Sequence, residues 1–233
     1  MNEIVKRRVG GLEILERKGD PSRGAIIFLH GFGADAFDLE PLSQCYEGPT
    51  WIFPQGPLEI PFSSHYSGRA WFPIDMLLLN RAIAENRLED IFQAFPPDIN
   101  AARDCIENLL ADLDIPRHQI ILGGFSQGAI LAIETVLSSP LKWGGLVIFS
   151  GTLIHETRWK RLAPQHANTP FFQSHGTHDP LLPLPFAQAL ERLLQECGLK
   201  GKLHTFQGGH DIPHFIVKQL STFLHQIFKD KSH

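Results

Sequence analysis

The chain has 233 residues, of which 43% are hydrophobic and 20% charged, ordinary globular proportions that exclude a disordered or fibrous protein. Its net charge is −4, which makes no electrostatic case for nucleic acid, since that binding rests on neutralising phosphates. No apolar run approaches the roughly 18 residues needed to span a membrane, so no integral membrane association is expected. Residues 1–8 carry charges with no apolar run behind them and do not read as a secretory signal. Cys45, Cys105 and Cys197 are odd in number and widely spaced, the usage of reduced thiols in the cytoplasm rather than of a disulfide framework. A chain of this length can bury a full core without staples. No repeat or linker-like tract divides it, so residues 1–233 read as one domain.

In chain order, Ile4–Val9 and Leu12–Arg17 flank a Gly10-Gly11 turn and predict a β-hairpin. Ala25–Leu29 follows as a short apolar run bounded by glycines. Similar runs recur at residues 51–53, 119–122, 146–149, 171–173 and 203–206. Apolar on both faces, they suit strands buried on both sides of a parallel sheet. Helical periodicity lies between them. Ile99–Leu113 puts Ala102, Ile106, Leu109, Leu110 and Leu113 on one stripe, residues 186–197 do the same with Leu190, Leu193 and Leu194, and residues 215–228 form a last amphipathic helix. A hairpin followed by alternating strands and helices predicts an α/β fold: a doubly wound, mostly parallel sheet of about eight strands with helices on both faces. Active sites of such sheets lie outside the carboxyl ends of the strands.

The strongest local signal is Gly124-Phe125-Ser126-Gln127-Gly128, a G-x-S-x-G sequence. Strand-like Ile120-Ile121-Leu122 enters it and a helix-like stretch at 129–134 leaves it, the strand–turn–helix context of a nucleophile elbow. The alternative is a glycine-rich turn with a capping serine. A serine nucleophile needs a base, and the base needs a carboxylate to fix its tautomer. In the α/β-hydrolase order, serine, acid and histidine follow one another along the chain. Downstream of Ser126, the strand at 171–173 runs into a polar loop carrying Asp179, and the strand at 203–206 runs into the glycine-flanked His210. One helix separates them, so both emerge from adjacent loops on one sheet edge. Asp179 is the expected acid and His210 the expected base.

Each of these residues has a plainer reading. Asp179-Pro180 also fits a turn opening the next helix, and His210 fits a helix cap. His214 is the rival base, although it lies beyond Pro213, where the last helix begins. His175 and His178 are expected to shape the acid loop, and His30 to support its neighbouring loop through its ring. His210 and His214 have H-x-x-x-H spacing, but Pro213 spoils a helical presentation and no glutamate sits at the second position, so no metal is expected. An oxyanion hole needs two backbone N–H donors. In this fold they are expected at Gln127, after the nucleophile, and at Phe32, between Gly31 and Gly33 in the loop after the third strand; a flexible turn is the other reading of that loop.

With these residues assembled, the chain resembles the carboxylesterase and acyl-protein thioesterase family of α/β hydrolases, also called the phospholipase/carboxylesterase family. The match runs in order across nearly the whole chain: Leu29-His30-Gly31-Phe32-Gly33, Phe53-Pro54-Gln55-Gly56-Pro57, Gly68-Arg69-Ala70-Trp71-Phe72, Gly123-Gly124-Phe125-Ser126-Gln127-Gly128, His175-Gly176 through Asp179-Pro180-Leu181-Leu182-Pro183, and Gly209-His210. The resemblance implies a cofactor-free serine hydrolase with Ser126, Asp179 and His210 as its triad and Phe32 and Gln127 as oxyanion donors. It also implies substrate contacts at Trp71 and Leu181, where the family lines its acyl site, although a core tryptophan fits the sequence equally. The implied substrates are small esters or acyl thioesters, acylated proteins or lysophospholipids.

Two departures from the family pattern stand out. Ala129 occupies a position where the family usually has a third glycine. Residues 75–97, with Met76-Leu77-Leu78-Leu79 and Ile91-Phe92-Gln93-Ala94-Phe95, resemble the helical insertion of some bacterial members, a candidate lid over the acyl pocket; core packing is the other reading. Two rival functions are a ligand-binding receptor on the same fold, against which the complete triad argues, and a peptidase, which would want an accessory domain to select peptides.

Overall fold

Residues 3–63, 66–85, 87, 96 and 98–230 are described by the computed structural model. The hairpin forms as the Gly10-Gly11 turn predicts: β1 (Ile4–Val9) pairs antiparallel with β2 (Leu12–Arg17), Val9 facing Leu12 across the turn. The other strands of the main sheet are β3 (Ala25–Leu29), β4 (Thr50–Pro54), β7 (Ile120–Phe125), β8 (Gly145–Phe149), β9 (Pro170–Gly176) and β10 (Lys200–Phe206). They lie in the order β1-β2-β4-β3-β7-β8-β9-β10. From β4 to β10 every pairing is parallel, and only the β1–β2 and β2–β4 pairs are antiparallel.

Strand alternation divides the core in two. On β3, Ala25, Ile27 and Leu29 face one side, with α2 (Met76–Ala84), α3 (Ile99–Leu113), α4 (Gln127–Ser138), α5 (Glu156–Leu162) and α6 (Leu184–Glu196). Ile26 and Phe28 face the other, with α1 (Ala36–Leu39) and α7 (His214–Asp230). All five β3 residues are at most 1% exposed. Truncating such a side chain to alanine costs about 2–5 kcal/mol for the cavity it leaves. The expected doubly wound, mostly parallel eight-stranded sheet with helices on both faces is therefore the observed one.

Three features differ from the sequence reading. First, β10 is an edge strand among the described strands, with Lys200 and Lys202 on it exposed, not a strand buried on both faces. Second, β5 (Leu58–Ser63) and β6 (Tyr66–Ala70) form a separate antiparallel hairpin. Third, α5 is a short helix that periodicity does not announce. Tertiary contacts hold it: the fully buried Glu134 carboxylate of α4 accepts from Arg158 Nη2 at 2.6 Å and Trp159 Nε1 at 2.8 Å. Of the stretch 75–97, α2 lies within it, while Ile91–Phe95 fall outside the described residues.

Candidate active site

The serine turn follows from two close approaches. A Cβ on Gly124 would lie 2.3 Å from the Gly128 carbonyl carbon, and one on Gly128 would lie 2.1 Å from the Leu29 carbonyl oxygen. Only glycine fits at either place, so β7 and α4 can meet in a tight corner with Ser126 at its tip. Ser126 sits at φ 54°, ψ −116°, a region that costs a side-chain-bearing residue about 1–3 kcal/mol. The corner is held by Ser126 N–H donating to the Phe149 carbonyl at 2.9 Å and by Ile130 N–H donating to the Ser126 carbonyl at 3.1 Å.

Strands β9 and β10 deliver the other two residues. His210 Nδ1 lies 2.6 Å from Asp179 Oδ2, the short contact of a charge-assisted hydrogen bond. Asp179 Oδ1 accepts from the N–H groups of Leu181 and Leu182, each at 2.9 Å. Burial pushes the Asp179 carboxyl up, but the hydrogen bonds from His210 and the two amides, with the His210 charge, outweigh it and leave the group below its usual range. A carboxylate with both oxygens engaged stays ionised and holds the ring by Nδ1–H, leaving Nε2 as the basic atom. The His210 ring packs on Phe125, centroids 4.8 Å apart, beside the serine corner.

His175, fully buried on β9, holds the acid loop from behind. Its Nε2 lies 2.6 Å from the Leu182 carbonyl and 3.4 Å from Asp179 Oδ2. Burial holds its pKa below the ordinary histidine value, so the ring is a neutral donor to that carbonyl. His178 is exposed, and its ring Nδ1 lies 3.1 Å from the neighbouring Thr177 hydroxyl.

The loop after β3 passes directly over the serine. A Cβ on Gly31 would be 3.5 Å from Ser126 Cβ, so Phe32 is carried next to the nucleophile. His30 braces this loop: its Nδ1 lies 2.8 Å from the Gly31 carbonyl and its Nε2 accepts from Gly56 N–H at 2.9 Å. Those partners require the neutral ring protonated at Nδ1, in keeping with a pKa depressed by burial. Gly33 N–H donates to the Arg69 carbonyl and Arg69 N–H to the Ala34 carbonyl, both at 2.8 Å, which fastens the loop to β6.

Gln127 is 1% exposed. Its Oε1 accepts from Trp71 N–H at 3.0 Å and its Nε2 donates to the Phe72 carbonyl at 2.7 Å. The Trp71 indole is 2% exposed and donates to the His30 carbonyl at 2.9 Å, so its ring stands in the core beneath the site. Leu181 is 37% exposed and borders Asp179. A groove of about 990 Å³ opens beside His210, lined in part by Phe32, Phe125, Leu42, Ile212 and Val217. Cys45 also lines it, but burial pushes its thiol up to about 12, so it is no competing nucleophile. Among the described residues, no three His, Cys, Asp or Glu side chains gather to hold a metal ion.

The folded chain thus brings Ser126, the Asp179–His210 pair, Gln127 and the Phe32 loop to the carboxyl ends of β3, β7, β9 and β10. His214, the rival base, is the exposed first residue of α7. Sequence reasoning missed the side-chain amide of Gln127, which it used only for its backbone N–H. A polar residue at a buried helix start was the available signal.

The profile of the family described as phospholipase/carboxylesterase matches residues 11–228. An acyl-protein thioesterase 1 of Debaryomyces hansenii is 31% identical over 201 residues, which are 81% of this chain and 84% of that one. A probable carboxylesterase of Oryza sativa subsp. japonica is 29% identical, over 82% of this chain and 73% of that one. Among solved structures, esterase PE8 superposes with a TM-score of 0.74 at 24% identity, covering 97% of this chain and 98% of that one. A carboxylesterase from Mesorhizobium loti gives 0.73 at 19% identity, covering 95% and 98%. At these identities the structural likenesses speak for the α/β-hydrolase fold alone.

Proposed function

The chain belongs to the phospholipase/carboxylesterase family of serine ester and thioester hydrolases, and from that premise we propose that Ser126, His210 and Asp179 are its catalytic triad. The observation that carries the assignment is the 2.6 Å contact between His210 Nδ1 and Asp179 Oδ2 beside a serine on a strained strand-to-helix corner. Ser126 Oγ attacks the carbonyl carbon of the ester or thioester while His210 Nε2 takes the hydroxyl proton. Asp179 stabilises the resulting imidazolium without accepting its proton. The amides of Phe32 and Gln127 hold the oxyanion. The intermediate collapses as His210 protonates the departing alcohol or thiol, leaving an acyl-serine. Water, deprotonated by the same imidazole, then releases the carboxylic acid.

The acyl chain is assigned to the side of Trp71 and Leu181, roofed by α2. Met76, Leu77 and Leu78 of that helix are exposed, Leu77 to 85%, which supports a cover awaiting an apolar ligand over a buried packing element. Residues 1–233 then act as one hydrolase domain whose lid lies in the stretch 75–97, of which α2 is the described helix. The substrates are small esters or acyl thioesters, with an acylated protein or a lysophospholipid as further candidates. No described helix is long and apolar enough to cross a membrane, and free Cys45, Cys105 and Cys197 support a reducing, cytoplasmic setting. Hydrolysis of p-nitrophenyl esters together with fluorophosphonate labelling tests the reading. Labelled, hydrolytic wild type with unlabelled Ser126→Ala is expected; a folded wild type that is inert to both would leave a receptor.

A further inference from the structure

We propose that the side-chain amide of Gln127 is a positioning group for the oxyanion hole, fixing the separation of the two N–H donors through residues 69–72. The inference rests on the reading of Phe32 and Gln127 as those donors. The two amides come from distant parts of the chain, one from the loop after β3 and the other from the first residue of α4. The β3–β7 pairing and the packing of Gly128 on the Leu29 carbonyl bring the two segments side by side. Both are further fastened to the same four residues, 69–72, which run from the end of β6 into the following turn. Arg69 exchanges two backbone hydrogen bonds with Gly33 and Ala34, at 2.8 Å each. Trp71 N–H and the Phe72 carbonyl grip the Gln127 amide at 3.0 and 2.7 Å. The Trp71 indole reaches back to the His30 carbonyl at 2.9 Å. The contact is close along its length: a Cβ on Gly68 would fall 2.0 Å from the Gly33 carbonyl oxygen.

Gln127 is the movable half of this arrangement. It follows Ser126, whose strained backbone favours relaxation, and its own N–H precedes the first helical hydrogen bond of α4. A buried primary amide facing one backbone donor and one backbone acceptor fixes residue 127 the way an added ladder residue would. Oxyanion donors must be aimed to within fractions of an ångström, because a misplacement of 1 Å costs about 100-fold in rate. Methionine keeps the length of the side chain and removes both bonds. Glutamate keeps the bond from Trp71, but when ionised presents an acceptor to the Phe72 carbonyl; when protonated it again offers one acceptor and one donor.

The test counts active sites by the endpoint stoichiometry of fluorophosphonate labelling and expresses kcat per labelled site. For Gln127→Met we expect kcat per site to fall about 10- to 100-fold with KM within about threefold. Affinity for a trifluoromethyl ketone, which forms a tetrahedral adduct with the nucleophile, should fall by the same factor as kcat/KM. For Gln127→Glu, activity relative to wild type at the same pH should rise as pH falls and the carboxyl regains its proton. If Gln127→Met does not fold, the Gln127→Glu profile carries the test alone. Unchanged kcat per site and ketone affinity in Gln127→Met, with only a lower Tm, or a Gln127→Glu ratio flat with pH, would overturn the proposal while leaving the triad standing. A wild type that takes no label at Ser126 would instead sink the triad reading on which it rests.

Discussion

Thr177 gives its backbone N–H to the carbonyl of Phe206 at 2.8 Å, just past the last paired residues of β9 and β10. His178 N–H donates to the Gly208 carbonyl at 2.9 Å in the same way. The acid-bearing loop and the base-bearing loop are therefore one hydrogen-bonded unit. The parallel register of β9 and β10 is carried two residues beyond the sheet, and the Asp179–His210 bond completes it. Backbone pairing, not side-chain attraction alone, sets the distance between acid and base.

The first prediction concerns the serine corner. Ser126→Ala and Ser126→Gly both remove the hydroxyl, so esterase activity should fall by about three orders of magnitude or more. They should differ in stability. At φ 54° glycine is unstrained and alanine is not, so Ser126→Gly should be the more stable by about 1 kcal/mol, the reverse of their order at a relaxed helical position. Urea midpoints measure this, and equal midpoints would mean that the corner stores no strain.

A second prediction separates the histidines and gives the sign of the pH response. His210→Ala should abolish turnover, while His214→Ala, at an exposed helix start, should keep most of it. The opposite pattern moves the base to His214. Activity should fall on acidification, because only the neutral imidazole accepts the serine proton. The Asp179 carboxyl lies below its usual value in the folded protein. Its pairing therefore adds stability above the unfolded carboxylate pKa of about 3.9, and that stability is lost as pH falls through the lower, folded value. Asp179→Asn should flatten this acid-side loss of stability and cut kcat by about 10⁴-fold through the wrong imidazole tautomer.

Glu134 provides a test of stability without catalysis. Its fully buried carboxylate answers Arg158 and the Trp159 indole, and Arg103 Nη1 lies 3.5 Å away. Glu134→Gln removes the negative charge but leaves the guanidinium groups, so unfolding free energy should drop by about 3–5 kcal/mol. Turnover per folded molecule should not change, because none of these side chains touches the candidate site. A kcat that fell in step with stability would show that α5 takes part in the chemistry.

For the lid, Leu78→Ala is the informative change. Leu78 is 54% exposed, so its truncation should move Tm by no more than a surface substitution does, about 0.5 kcal/mol in free energy. If α2 covers the acyl chain, kcat/KM for octanoyl esters should fall by more than that for acetyl esters, since each methylene left uncovered forfeits up to about 0.8 kcal/mol. An unchanged octanoyl-to-acetyl ratio would remove Leu78 from the acyl site.

Much of this architecture is legible in the sequence because local and global signals agree. The bounds of β1, β2, β3 and α3 coincide with their hydrophobic patterns. The glycine spacing around Ser126 is forced by backbone contact and so is visible as residue type. What escaped reading depends on partners distant in the chain. Strand β5 contains Pro61 and β6 is short and polar; the pair exists because Arg69 bonds the loop after β3 and residues 71–72 bond Gln127. Helix α5 owes its place to Glu134, more than 20 residues away. The exposure of β10 has the same origin: Leu203 and Phe206 suggest burial, yet among the described strands β10 is the last in the sheet order, and Lys200 and Lys202 on it are exposed.

That position at the rim of the sheet has a consequence for how the protein fails. An outermost strand is paired along one side only and opens at lower free energy than the strands it borders, and His210 hangs from the end of this one. Warming or mild denaturant should therefore extinguish turnover while Trp51, Trp71 and Trp159, each at most 2% exposed, still fluoresce as buried indoles. The lost activity should return on cooling or dilution as β10 closes again. Inactivation of this protein is then an early, reversible report of fraying at one border of the sheet, separate from the collapse of its interior.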